Sequence, residues 1–294
     1  MNTKIKIITD SCCDLPLKYV DDHVDHLLVL GMPVQVDGVE IIDDLGKSYT
    51  HKSFYEKLRQ GTMPTTSQVN AYRFEEAFKS AVEQGFNVLY LGFSSAMSGT
   101  YNSANIARSI VLEDFPDAKI QLVDTLSASI GQGVLVVEAV KRAKLNQSID
   151  EIATFIESIK LKTHHWFGVD DLNYLKNGGR ISHVSAMVGS VLNVKPTLGV
   201  DLEGKLIPYG NVRGRKKSIA QLVTKFENHY CSDNTSTIIV GHGNSPDDAE
   251  YLRQLIHEKS PSADILVSEL SMTIASHVGP DMIALAFVGD KREK

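Results

Sequence analysis

The sequence predicts an α/β fold in two parts, an N-terminal Rossmann-like parallel-sheet domain over 1–162 and an α+β domain over 163–294. Three observations predict it. Strand and helix patterns alternate through the first half. Apolar strands such as Asn87-Val88-Leu89-Tyr90-Leu91 end in hydroxyl-bearing and small residues just ahead of helices. The alternation breaks down near residue 162. Alternating strands and helices build a mostly parallel sheet covered on both faces, whose strands read as unbroken apolar runs.

Taken in order, a strand over 5–8 leads to a helix over 15–22, an extended segment over 27–36 and a helix over 53–59. Pro64-Thr65-Thr66-Ser67-Gln68 then precedes a helix over 72–83, where Phe74, Ala77, Phe78 and Ala81 form an apolar stripe. The strand over 87–91 passes through Gly92-Phe93-Ser94-Ser95-Ala96-Met97 into a helix over 98–112 with Ile106 and Ile110 on one side. A strand over 119–123 and helices over 128–143 and 149–160 complete the first part.

Beyond it, 164–169 is extended and 185–192 helical. Strands over 195–200 and 205–212 flank Asp201-Leu202-Glu203-Gly204, a hairpin signal. A helix over 216–229, a strand over 237–242, a helix over 247–257 and strands over 263–268 and 282–288 finish the chain.

Composition narrows the function. With 294 residues, 43% hydrophobic and 22% charged, the chain buries a sizeable core. No apolar run spans a bilayer, and Met1-Asn2-Thr3-Lys4 runs straight into a strand, so neither an anchor nor a cleaved leader is expected. Cys12, Cys13 and Cys231 make no disulfide framework, which points to a reducing cytoplasm. A net charge of −6 argues against a general nucleic-acid binder.

The carboxyl ends of parallel strands meet helix N-termini whose free N–H groups and dipole attract anions. Two hydroxyl-rich helix starts, Thr65-Thr66-Ser67 and Ser94-Ser95 through Ser98, flank the single strand over 87–91 and so fit one shared anionic head group. The local alternative is that Thr66 or Ser67 merely caps its helix. Other constellations are incomplete. Ser95 with His277 lacks both a Gly-x-Ser-x-Gly elbow and an acidic third member. Asp43-Asp44, His164-His165 and the His23/His26 pair lack a completed ligand set, so no metal is expected.

Several segments carry a resemblance: Ile8-Thr9-Asp10-Ser11 with Asp14-Leu15-Pro16, Thr66-Ser67-Gln68, Ser94-Ser95 through Ser98-Gly99-Thr100-Tyr101, and Val123-Asp124 with Ser127-Ala128-Ser129 and Gly131-Gln132-Gly133. Val169-Asp170-Asp171-Leu172, Gly178-Gly179-Arg180-Ile181-Ser182, Lys195-Pro196, Val212-Arg213-Gly214-Arg215-Lys216-Lys217 and His277-Val278-Gly279-Pro280 continue it. In that order the chain resembles the DegV family, fatty-acid-binding proteins that present acyl chains to a separate fatty acid kinase.

The resemblance implies a DegV/EDD-like fold with a ligand tunnel between the domains. It implies a long-chain fatty acid such as palmitate or oleate, its tail buried and its carboxylate offered to the kinase, in lipid transport or fatty acid metabolism. No catalysis, cofactor, nucleic acid or stable membrane insertion is implied. It assigns the carboxylate to Thr66, Ser95 and His277, with Ser94 and Ser67 as neighbours. Arg180 falls near the head group; the alternative is a salt bridge to Asp170 or Asp171. Arg213, Arg215, Lys216 and Lys217 form either a solvated helix start or a kinase-docking patch.

Such a ligand demands a dry tunnel, since each buried methylene contributes about 0.8 kcal/mol, and several donors for its carboxylate. Two departures from the family stand out: Val69 where Pro is usual, and Asp281 where Gly is usual. The rival function is an enzyme in its own right, an esterase using Ser95 or a small-molecule phosphotransferase using the basic cluster.

Overall fold

A computed structural model describes residues 4–180, 194–231 and 237–292. The helix expected over 185–192 and the Ile181-Ser182 end of the glycine motif lie outside the described residues.

The first half forms a four-stranded parallel sheet in the order β2 (Leu27–Leu30), β1 (Lys4–Asp10), β6 (Phe86–Gly92), β7 (Ile120–Asp124). Tyr90 on β6 meets Phe74 and Phe78 of α3 (Ala71–Glu83), with ring centroids 4.9 and 6.4 Å away. Strand alternation sends Leu89 and Leu91 to the other face, where α5 (Ile130–Lys144) and α6 (Ile149–Ile159) lie.

Helix α4 (Thr100–Asp114) turns the side that carries Ile106 and Ile110 outward. Ile106 and Ile110 are exposed, and the buried face is Thr100, Ser103, Ala104, Ala107 and Val111. Small residues let α4 approach α3 closely, and larger side chains at that seam would hold the two helices apart.

The second half forms a six-stranded sheet: β10 (Leu206–Arg213), β9 (Val194–Val200), β8 (Thr163–Gly168), β13 (Ile283–Val288), β11 (Thr237–His242), β12 (Asp264–Glu269). Its pairs are antiparallel except β11 with β12. Helices α8 (Arg215–His229) and α9 (Pro246–Lys259) cover one face through Ile219, Phe226, Leu252 and Ile256. Helix α5 covers the other and is buried at every position from Ile130 to Val140, as befits a helix held between two sheets. At Gly133 a side chain would put its Cβ 2.5 Å from the Cys13 carbonyl oxygen, so only glycine allows that approach.

The segment expected as one extended run over 27–36 divides at Gly31. A Cβ there would sit 2.6 Å from the Asp43 carbonyl oxygen. Beyond it, β3 (Met32–Val36) joins a third, antiparallel sheet with β4 (Val39–Asp43) and β5 (Thr65–Thr66). This small sheet packs on α2 (His51–Arg59) and α10 (Met272–Val278) through Val34, Val36, Phe54, Leu58, Met272 and Ala275. It thereby carries Thr66 to the C-terminal region of the chain.

Candidate ligand cavity

The functional corner begins with how α10 is held. Its first turn leaves backbone N–H groups without helical partners, and two buried carboxylates accept from them. Asp14 Oδ1 takes the Ser271 N–H at 2.8 Å, and Asp43 Oδ2 takes the Thr273 N–H at 2.8 Å and its hydroxyl at 2.6 Å. Burial pushes Asp14 up to about 7 despite its hydrogen bonds from Ser129 and Ser271. A short helix is thus fixed from its N-terminus, and its last turn presents His277.

His277 Nε2 lies 2.8 Å from Thr66 Oγ1, joining α10 to β5. The other ring nitrogen, Nδ1, is buried without a hydrogen-bond partner among the described residues. Burial, with the Arg180 charge adding to it, lowers His277 to about 4, so the ring is neutral near pH 7. Gly178, after α7 (Asn173–Asn177), packs on this ring; a Cβ there would fall 2.1 Å from Nδ1. Arg180 donates to the Gly178 carbonyl at 2.5 Å and to the Met97 carbonyl at 3.3 Å.

These groups border a cavity lined on one side by Cys12, Phe93, Ala128 and Ile130 and on the other by Phe167, Val200, Leu206 and Ala284. It offers about 80 Å³ to the centre of a water-sized sphere, several times the roughly 10–15 Å³ that one water needs. Thr66, Ser98, Arg180 and His277 supply polar groups to an otherwise mainly apolar wall. Arg180 is exposed, so this corner reaches the surface.

Of the residues singled out in the sequence, Thr66, His277 and Arg180 come together here. Ser94, Ser95 and Ser67 do not line the cavity. Ser94 is fully buried and donates to the Gly204 carbonyl at 2.8 Å. Ser95 is exposed, and its main-chain N–H donates to Asp124 at 3.2 Å. Ser67 is exposed beside β5.

The capping alternative for Thr66 and Ser67 is also corrected: Asn70 caps α3, accepting from the Arg73 N–H at 3.0 Å, and Thr66 is a strand residue. Nor does Arg180 pair with Asp170 or Asp171. Asp170 instead accepts from Lys195 at 2.5 Å and lies 3.6 Å from Arg215.

Ser98 lines the cavity, its hydroxyl 2.9 Å from that of Thr100. It lies in the segment already singled out, read there only as a helix start. The expected helix over 98–112 begins at Thr100, and freeing Ser98 from the helix lets its side chain turn inward.

Asp281 faces away from the cavity. It holds Arg59 through two 2.8 Å contacts and Ser245 through one of 3.1 Å. Burial raises its pKa and Arg59 more than reverses that, leaving it below the usual range. In the basic cluster, Arg213, Lys216 and Lys217 are exposed, whereas Arg215 is bound to Asp248 at 2.8 Å and to the Asp281 carbonyl.

Burial holds the Cys12 and Cys13 thiols well above their ordinary range. Away from the cavity, His164 gains two partners that adjacent His165 could not supply: Asp290 Oδ1 lies 3.0 Å from His164 Nε2 and 3.1 Å from His229 Nδ1.

Comparison with known proteins gives a consistent picture. A family model described as "Uncharacterised protein, DegV family" matches residues 4–290. A DegV domain-containing protein of Clostridium perfringens is 46% identical over 290 residues, covering 99% of both chains. A fatty-acid-binding DegV family protein of Thermus thermophilus is 30% identical with a TM-score of 0.85, covering 97% of this chain and 99% of its own. A stearic-acid-binding protein of Eubacterium ventriosum is 27% identical with a TM-score of 0.87, covering 97% and 98%. Among the described residues no helix is long and apolar enough to cross a membrane.

Proposed function

The chain belongs to the DegV family, and from that premise we propose that it binds a long-chain fatty acid such as palmitate or oleate and presents the carboxylate to a separate fatty acid kinase. The observation that carries this reading is the Thr66–His277 pair with Arg180 at the surface-reaching corner of a mainly apolar cavity. The acyl tail gains about 0.8 kcal/mol for each methylene removed from water. The head group needs charge-assisted partners, and the Thr66 hydroxyl, a neutral His277 and the Arg180 guanidinium answer that need.

A carboxylate at the exposed side of the cavity is accessible to a second protein, whereas a buried one is not. This favours presentation to a partner, and with it a place in lipid transport or fatty acid metabolism. Exposed Arg213, Lys216 and Lys217 are the candidates for the kinase surface. In this reading the chain is a non-catalytic subunit with no cofactor beyond its bound acid. Ser95 forms no hydrogen bond with His277 among the described residues, so the esterase alternative has no assembled nucleophile and base to support it.

Isothermal titration with palmitate and with hexadecanol tests the reading. One acid bound per chain, much more tightly than the alcohol, is the expected result; equal binding of both would remove the head-group assignment.

A further inference from the structure

The cavity contains a polar side chain that neither the acyl tail nor its carboxylate employs. His165 on β8 lines the wall and is 6% exposed, yet both Nδ1 and Nε2 are buried without a hydrogen-bond partner among the described residues. The Thr163 main chain approaches the ring but does not complete a hydrogen bond. Strand alternation turns the next residue, Trp166, to the opposite face, where it packs on Tyr209 under Lys225. His165 therefore faces α5.

Helix α5 makes room for it at Gly131, where a Cβ would lie 1.8 Å from His165 Nε2. Any side chain at that position would expel the imidazole. Burial, with the charge of Arg292 adding to it, lowers the His165 pKa well below its ordinary 6.5, so the ring is neutral near pH 7. A neutral imidazole carries one N–H donor and one lone-pair acceptor. Among the described residues neither is met, although polar groups such as Thr66, Ser98 and His277 line other parts of the same cavity. Native proteins seldom leave such buried groups without a partner.

We propose that the cavity selects fatty acids bearing a hydroxyl group along the chain, with His165 as the partner of that hydroxyl. The inference rests on the fatty-acid reading and deepens it to a ligand class. A hydroxyl answers both ring nitrogens in kind, since it donates and accepts. A keto oxygen only accepts, and for a charged substituent the guanidinium that lines the cavity, Arg180, is already committed to the carboxylate in this reading, while Arg292 does not line the cavity and its Nη atoms are held by the Leu126 and Lys160 carbonyls.

The test titrates wild type with stearic acid and with a series of stearic acids carrying one hydroxyl at successive carbons. One position is expected to bind about tenfold more tightly than stearic acid, with the others weaker because an unpaired hydroxyl is disfavoured in an apolar tunnel. His165→Leu should abolish that maximum. Histidine ring-nitrogen shifts in wild type, moved by the favoured isomer and not by stearic acid, give a readout independent of the variant's folding.

If stearic acid binds and every hydroxylated isomer binds more weakly, the proposal falls while the fatty-acid reading stands. A water already bound to His165 would give that result. If no acid of the series binds, both fall.

Discussion

Thr66 Oγ1 and His277 Nε2 lie 2.8 Å apart although 211 positions separate them in the chain. The contact joins the edge of the small third sheet to the last turn of α10, and the hydroxyl and imidazole it aligns both line the cavity. If this pair is the carboxylate site, Thr66→Val removes one hydrogen bond to a charged group, a contribution of about 1.5–3 kcal/mol. Fatty-acid affinity should fall tenfold or more, and affinity for the matching alcohol much less. Fluorescence competition with both ligands measures it; equal losses would reduce Thr66 to a packing role.

Gly178→Ala tests the same corner from the other side. Gly178 has φ −72° and ψ −8°, which alanine adopts without strain, so the obstacle is the 2.1 Å approach of the new Cβ to His277 Nδ1. The ring must move, and with it the geometry toward Thr66. The variant should fold and bind fatty acid at least tenfold more weakly. Wild-type affinity would show that the ring position is unimportant.

The neutrality of His277 has a pH signature. Its folded value, lowered to about 4 by burial and Arg180, lies below the ordinary 6.5. Between those values the unfolded chain binds a proton at this site and the folded chain does not, so stability falls as pH falls through the window. His277→Gln has no such proton to bind. From pH 7 to about pH 4.5, wild type should lose roughly 2–3 kcal/mol relative to the variant. Denaturant melts of both proteins at the two pH values check it, and parallel losses would contradict a buried neutral ring.

Much of the succession of strands and helices along the chain is legible in the sequence, because buried parallel strands are apolar runs and their helices carry stripes. The failures have physical causes. Ile106 and Ile110 have core-like spacing but lie outside, because close packing of α3 against α4 selects Ala104 and Ala107 instead. Helix α10 has no sequence signal because it is short and buried nearly all round, Thr273 and Ser276 included, so it shows no apolar periodicity to read. Thr66 reads in the sequence as a hydroxyl ahead of a helix, yet its position comes from pairing with Val34 in a sheet that residue spacing does not reveal. The unsatisfied nitrogens of His165 are invisible without Gly131 opposite them.

The basic cluster divides into two roles. Arg215→Glu would set a carboxylate against Asp248 and Asp170, and should destabilise the protein by roughly 2 kcal/mol or more. Lys216→Glu with Lys217→Glu alters exposed positions and should change stability by only about 0.5 kcal/mol each. The double variant should bind fatty acid normally yet slow acyl-phosphate formation by the kinase, and raised salt should slow wild type similarly. Normal turnover by the double variant would place the kinase surface elsewhere.

Native mass spectrometry of gently purified protein shows whether the chain carries a fatty acid. Wild type should carry a mass excess equal to one long-chain fatty acid per chain, and Thr66→Val combined with His277→Ala should lose most of it. A wild-type chain at its bare mass that takes up no added palmitate or oleate would contradict the account.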